Sequence, residues 1–334
     1  MKKIVAMMMA LTLMVGSLTG CGQASAEEKT GESAQSADDG KLQVVTTIFP
    51  EYDWVLNILG DEAENAEVTM LLDNGVDLHS FQPTAQDIMK IASCDLFIYV
   101  GGESDAWVED ALAEATNQNM VVINLMEVLG DRVKEEEVKE GMQAEEEEGE
   151  EEEGEEEYDE HVWLSLKNAS ALCEVIASAL SEADEAHAAD YQANAQAYIG
   201  QLNTLDSEYQ SAVDEAAGKT LLFGDRFPFR YLTEDYGLDY YAAFVGCSAE
   251  TEASFETVIF LADKVDELGL SSIMTIEGSD GKIAETIRNN TAGKDQKILS
   301  LNSMQSLTSK DVADGLTYYS IMEQNLEVLK EALH

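Results

Sequence analysis

Residues 184–217 read DEAHAADYQANAQAYIGQLNTLDSEYQSAVDEAA, and the reading of this stretch divides the whole chain. Tyr191, Ala195, Tyr198, Leu202, Leu205, Tyr209 and Val213 recur at steps of four and three, which makes one apolar stripe along a helix. At ~1.5 Å per residue such a helix runs about 50 Å, longer than one small domain is wide. It contains no proline, and the single Gly200 is too little to break it. The spacing therefore predicts a rigid spine over 184–217 that touches two lobes, one formed before it and one after.

On the amino-terminal side, short apolar, β-branched runs at 42–49, 67–72, 95–100 and 120–125 alternate with helical patterns at 52–59, from Pro83 onward, and at 107–115. Pro83 and Asp87 suit the first turn of a helix, where a missing N–H costs nothing and negative charge is favoured. A further helix over 168–180 precedes the spine. After Gly218 the rhythm returns, with strands at 219–223, 238–244, 271–276 and 297–301. Helices fall within 227–236 and at 254–268, 282–290 and 310–333. Such alternation indicates an α/β fold with parallel sheets and helices on both faces, four strands to each side of the spine.

The chain has 334 residues and a formal net charge of −48, from 67 acidic and 19 basic side chains. That length can hold two cores. The charge excludes nucleic acid and anionic headgroups as electrostatic partners and favours cations. Much of it lies in an insert over 135–160, dominated by Glu and Gly with no aromatic before Tyr158. Such a run cannot fold on its own. Carboxylates hold zinc poorly without imidazole or thiolate, so the insert is expected to concentrate cations rather than to be the tight site.

Lys2 and Lys3 precede an apolar run at 4–15 that is too short for a membrane span. The run ends in Leu18-Thr-Gly-Cys21, which resembles the bacterial lipoprotein signal. That resemblance implies cleavage after residue 20, lipidation of Cys21, and a mature protein held at the extracellular face of the cell membrane by two acyl chains. Residues 21–40 then read as a flexible tether. Of the remaining cysteines, Cys94 and Cys173 lie in apolar surroundings and read as core residues. Cys247, in Val-Gly-Cys-Ser, lies in a loop from which it could reach a site.

Two of the four histidines stand in strand-to-helix connections beside acidic residues: His79 in NGVDLHSFQPT (74–84) and His161 in DEHVWLS (159–165). Two imidazoles so placed point to a shared metal site. His187 and His334 read as surface residues. In open α/β sheets ligands gather at the carboxyl ends of strands, where the second lobe offers Asp225, Arg226, Glu250, Glu252, Glu277 and Asp280. Two histidines with one or two carboxylates suit zinc, or manganese if oxygens dominate.

The two histidine segments resemble the signature segments of the metal-binding lipoproteins, or solute-binding proteins, that serve zinc and manganese ABC importers. The likeness extends to the insert between them, the spine, Tyr231…Tyr236-Gly-Leu and the closing helix at 318–329, and so spans Lys41 to the end. It implies two (β/α)4 lobes with parallel sheets joined by the spine helix, a metal cleft between the lobes, and delivery to a membrane permease. The expected organisation is a signal peptide (1–20), a tether (21–40), an amino-terminal lobe (41–183, with the acidic loop at 132–160), the spine (184–217) and a carboxyl-terminal lobe (218–334). Two departures stand out. The insert is rich in glutamate where the family commonly has histidine. The family's third ligand position, five residues before Tyr231, holds Arg226, which cannot coordinate a cation. Asp225 is assigned that role, with Glu277 or Asp280 as fourth ligand and Asp280 fitting the family's later acidic position better. The expected protein is a monomer that captures zinc without performing chemistry. The alternatives are a manganese-binding member, a metal-dependent hydrolase with Glu277 or Glu250 as base, and a surface adhesin; nothing like H-E-x-x-H supports the hydrolase.

Overall fold

The computed structural model describes residues 40–143, 157–248 and 252–334. The signal at 1–20, Cys21, the tether up to residue 39 and the 144–156 part of the acidic loop lie outside the described residues. The first sheet contains β1 (Leu42–Thr46), β2 (Ala66–Met70), β3 (Leu96–Tyr99) and β4 (Val121–Asn124), all parallel, in the order β2-β1-β3-β4. Helices α1 (Phe49–Leu59), α2 (Ala85–Ser93), α3 (Val108–Ala113) and α4 (Leu125–Leu129) follow the strands in turn. Ile48 precedes α1 and has no side chain able to cap it. The Glu51 carboxylate therefore turns back to accept from the N–H groups of Thr47 (2.8 Å) and Ile48 (3.3 Å).

Helices α5 (Leu166–Ala183) and α6 (Ala188–Glu215) lie against each other, and α6 also contacts α1 and, from the second half, the helices Arg230–Tyr236 and Tyr318–Leu333. All seven stripe residues from Tyr191 to Val213 are buried. The spine begins later than the periodicity predicts, at Ala188. Asp184 closes α5, and its carboxylate takes His187 Nδ1 (2.7 Å) and the Tyr191 hydroxyl (2.8 Å), which turns the chain before α6 can start.

The second sheet repeats the first: β5 (Thr220–Phe227), β6 (Asp239–Val245), β7 (Ser272–Ile276) and β8 (Lys297–Leu301), parallel, in the order β6-β5-β7-β8. Its helices are α7 (Arg230–Tyr236), α8 (Phe255–Leu268), α9 (Lys282–Asn290), α10 (Ser309–Ala313) and α11 (Tyr318–Leu333). The predicted single helix at 310–333 is two, because Gly315 takes φ +90° and Thr317 opens α11 with its own capping box. Each sheet reverses its strand order beside its first strand, so each has a switch point whose carboxyl-end crevice is a natural ligand position.

One apolar core runs without a break from Val44, Trp54 and Phe97 through Leu172, Tyr198 and Tyr209 to Phe223, Phe227 and Tyr318. A smaller one, around Phe244, Leu261, Ile273 and Ile287, fills the far side of the second sheet. Because the larger core spans both sheets, rocking them apart would expose apolar surface at ~25 cal/mol per Å².

Candidate metal centre

His161 is fully buried and held from several sides. Asp159 Oδ1 accepts from the His161 backbone N–H at 2.9 Å and faces its ring Nδ1 at the same distance. The Tyr231 hydroxyl donates to the Asp159 carbonyl (2.7 Å) and accepts from the Lys134 N–H (3.0 Å), which ties both arms of the acidic loop to the second lobe. Just beyond, Trp163 Nε1 donates to the Ser303 carbonyl (2.8 Å) and Tyr318 donates to the Trp163 carbonyl (2.7 Å). Gly246 completes the seat. A Cβ there would stand 2.9 Å from His161 Cε1 and 3.0 Å from the Phe227 carbonyl oxygen, so the ring lies against bare backbone.

His79 sits in a 3-10 turn, Leu78–Ser80, capped by Asp77, whose carboxylate accepts from the His79 N–H. Its Nδ1 meets Ser104 Oγ at 2.7 Å and Glu160 Oε2 at 3.5 Å. Glu160 also accepts from the Ser104 N–H (2.9 Å), and it reaches that position only because residue 102 is glycine, where a Cβ would fall 2.3 Å from Glu160 Oε1. Burial, and next the neighbouring His161, depress the His79 imidazole to about 3, so it is neutral at neutral pH.

Asp159 Oδ1 accepts from His161 Nδ1, which leaves that ring's Nε2 as a lone pair; His79 Nδ1 faces the Ser104 hydroxyl, which can donate or accept, so this ring can turn the same lone pair to a metal. The two Nε2 atoms face each other at 3.3 Å. A cation between them would take both nitrogens as ligands. Two zinc–nitrogen bonds of ~2.0–2.1 Å at a tetrahedral angle put the nitrogens about 3.3 Å apart. Among the described residues, His79, His161 and Cys247 form a group whose ligand atoms all lie within 4.8 Å of one another. Burial, then the charges of Asp159, Glu136 and Glu160, push the Cys247 thiol far up, so it keeps its proton while no metal is bound. A cavity of about 480 Å³ opens beside His79 and Cys247, lined by Ser104, Glu136, Glu157 and Glu160 among others.

The sequence profile described as zinc-uptake complex component A, periplasmic, matches residues 44–332. The chain belongs to this zinc-uptake family. It is 31% identical over 313 residues to the high-affinity zinc uptake system protein ZnuA of Bacillus subtilis, covering 94% of this chain and 92% of that one. It is 31% identical over 304 residues to the zinc-binding lipoprotein AdcA of Streptococcus pneumoniae, covering 90% of this chain and 57% of that longer one. The crystal structure of the Zn(II)-bound ZnuA-like domain of S. pneumoniae AdcA superposes with a TM-score of 0.68 at 30% identity, over 88% of this chain and 99% of that domain. The expected fold class, two parallel α/β lobes, is the fold of this family.

The carboxylates expected to complete a site of this family are not brought to the histidines. Strand β5 runs on to Phe227 and carries a bulge in which Gly224 and Asp225 stand opposite Ala243 alone. There the Asp225 carboxylate accepts from the next residue's N–H (2.9 Å) and joins no group with the imidazoles. Arg226 points at the site instead, its Nη2 on Asp77 Oδ2 at 2.6 Å and on Gln305 at 3.3 Å. Glu277 is half-buried and occupied, accepting from the Ser303 N–H (2.6 Å), the Ser303 hydroxyl (2.7 Å) and the Gln305 N–H (3.2 Å). Asp280 lies at the surface, ion-paired with Lys282. Glu252 is exposed, and Glu250 lies outside the described residues. The residues that sequence reasoning missed are the orienting ones, Asp159, Glu160 and Ser104; the acidic pair directly before His161 was their one visible signal.

Proposed function

We propose that this protein captures zinc in the cleft between its two lobes (41–183 and 218–334), with His79 and His161 as ligands, and hands it to the permease of an ABC importer. The facing Nε2 atoms carry this reading, supported by the family and by its zinc-binding relatives. The zinc is cargo: neutral imidazoles oriented through Asp159, Ser104 and Glu160 bind it, and no bond of a substrate is broken. The working form is a monomer, tethered outside the cell through lipidated Cys21, which fits the Leu18-Thr-Gly-Cys21 motif. Zinc is preferred over manganese because imidazole nitrogens dominate the site. Elemental analysis of the purified protein, with zinc–manganese competition, tests this. One equivalent of zinc retained against excess manganese is expected, and a preference for manganese would reverse the assignment.

A further inference from the structure

We infer that the Cys247 thiolate is the third protein ligand of the metal, taking over from the strand position that Arg226 occupies, and that it sets the site's preference for zinc over manganese. This rests on reading the His79–His161 pair as the zinc site.

Position comes first. Cys247 follows Gly246 at the carboxyl end of β6, and the bare Gly246 backbone that seats His161 carries the next side chain to the same point. Its N–H is held by Glu136 Oε1 at 3.3 Å. Its sulfur lies within 4.8 Å of a ring nitrogen of each histidine. Bonds of ~2.0–2.1 Å to nitrogen and ~2.3 Å to sulfur ask for about 3.6 Å between those atoms at a tetrahedral angle. A closure of at most about 1.2 Å, within reach of a side-chain rotation, completes the triangle.

Charge comes second. The imidazoles bring no negative charge to the metal itself, Arg226 is already paired with Asp77, and Asp159 and Glu160 stand behind the rings on their Nδ1 sides. The carboxylates that could compensate from the second lobe are committed elsewhere: Asp225 to the β5 bulge, Glu277 to Ser303 and Gln305, Asp280 to Lys282. As a thiolate, Cys247 would put negative charge directly in the ligand set. On binding, its S–H bond is replaced by an S–Zn bond and the proton leaves to solvent through the cavity that Glu136 and Glu157 line; no electrons are transferred. Thiolate is a soft ligand, which zinc accepts well and manganese poorly.

The test is a cobalt(II) titration of the purified full chain, followed by absorption. A sulfur-to-cobalt charge-transfer band in the near ultraviolet should grow to one equivalent and vanish on adding zinc. In Cys247→Ser, which keeps Cys94 and Cys173, the band should be absent. Zinc should then bind more weakly by at least the ~10–100-fold that loss of even an outer partner costs, with the zinc-over-manganese ratio falling at least ~10-fold. Cobalt bound by the unmodified chain without the band overturns the assignment, and so does unchanged zinc affinity in Cys247→Ser. If the unmodified chain binds neither cobalt nor zinc, the assignment and the proposed zinc capture fail together. Because the band is read on the unmodified chain, a variant that misfolds does not obscure the answer.

Discussion

His79 Nε2 and His161 Nε2 face each other at 3.3 Å, each ring having its other nitrogen turned to an oxygen. A cation held by both binds only the folded chain, so metal and folding are linked. At a thousandfold excess over Kd, zinc should raise stability by ~4 kcal/mol. His161→Ala should abolish most of that gain. Thermal melting with and without zinc checks it, and a melting curve that ignores zinc in the unmodified protein would refute capture in the cleft.

Asp159 orients His161, and Tyr231 in turn holds the Asp159 carbonyl. Asp159→Asn should weaken zinc ~10–100-fold with the fold intact, as loss of an orienting partner does. Tyr231→Phe should cost ~1–3 kcal/mol of stability, because the Lys134 N–H and the Asp159 carbonyl lose their shared partner. Chelator competition reads the first, urea denaturation the second.

Arg226 and Asp77 join the two lobes at 2.6 Å, with side chains only 18% and 22% exposed. Arg226→Ala leaves Asp77 half-buried with its Oδ2 robbed of its ion partner, at ~1–3 kcal/mol. A double-mutant cycle with Asp77→Asn should return a coupling of ~1 kcal/mol or more. A coupling near zero would mark the pair as a solvated contact that holds nothing.

Asp105 is buried, and burial, then the charge of Glu160, raise its carboxyl from 3.8 to about 7. The folded chain therefore holds this proton more tightly than the unfolded one. Its contribution to stability is fully present below about pH 4 and is lost as pH rises through 7. Asp105→Asn, neutral at every pH, should gain melting temperature relative to the unmodified protein between pH 5 and pH 8. An equal difference at both pH values would show that Asp105 does not titrate there.

The described arms of the acidic loop lie on the second lobe: Arg230 donates to Glu137 (2.6 Å) and the Gln143 N–H to the Ala243 carbonyl (3.0 Å). Deleting 144–156 should leave melting temperature and cleft affinity unchanged, within ~0.5 kcal/mol, while uptake at scarce zinc falls. Extending the deletion back to residue 135 removes those contacts and should destabilise the protein. Loss of tight zinc binding on the shorter deletion would place the site in the loop.

Elements whose signal is local were legible in the chain. The stripe from Tyr191 to Val213 announces a helix because 3.6-residue periodicity is a property of neighbours, and the eight apolar runs announce strands for the same reason. His79 and His161 could also be picked out, since each stands in its own recognisable segment. The rest of the site depends on contacts between distant positions. Asp225 looked available until the β5 bulge turned its carboxylate onto the Arg226 N–H, and Glu277 until Ser303 and Gln305, more than twenty residues on, claimed both its oxygens. Cys247 arrives beside two imidazoles whose nearer member is 86 residues away in sequence (247 − 161) because strand order and the bare Gly246 backbone bring it there. Local spacing determines which residues can bind a metal; only packing between the lobes decides which of them meet.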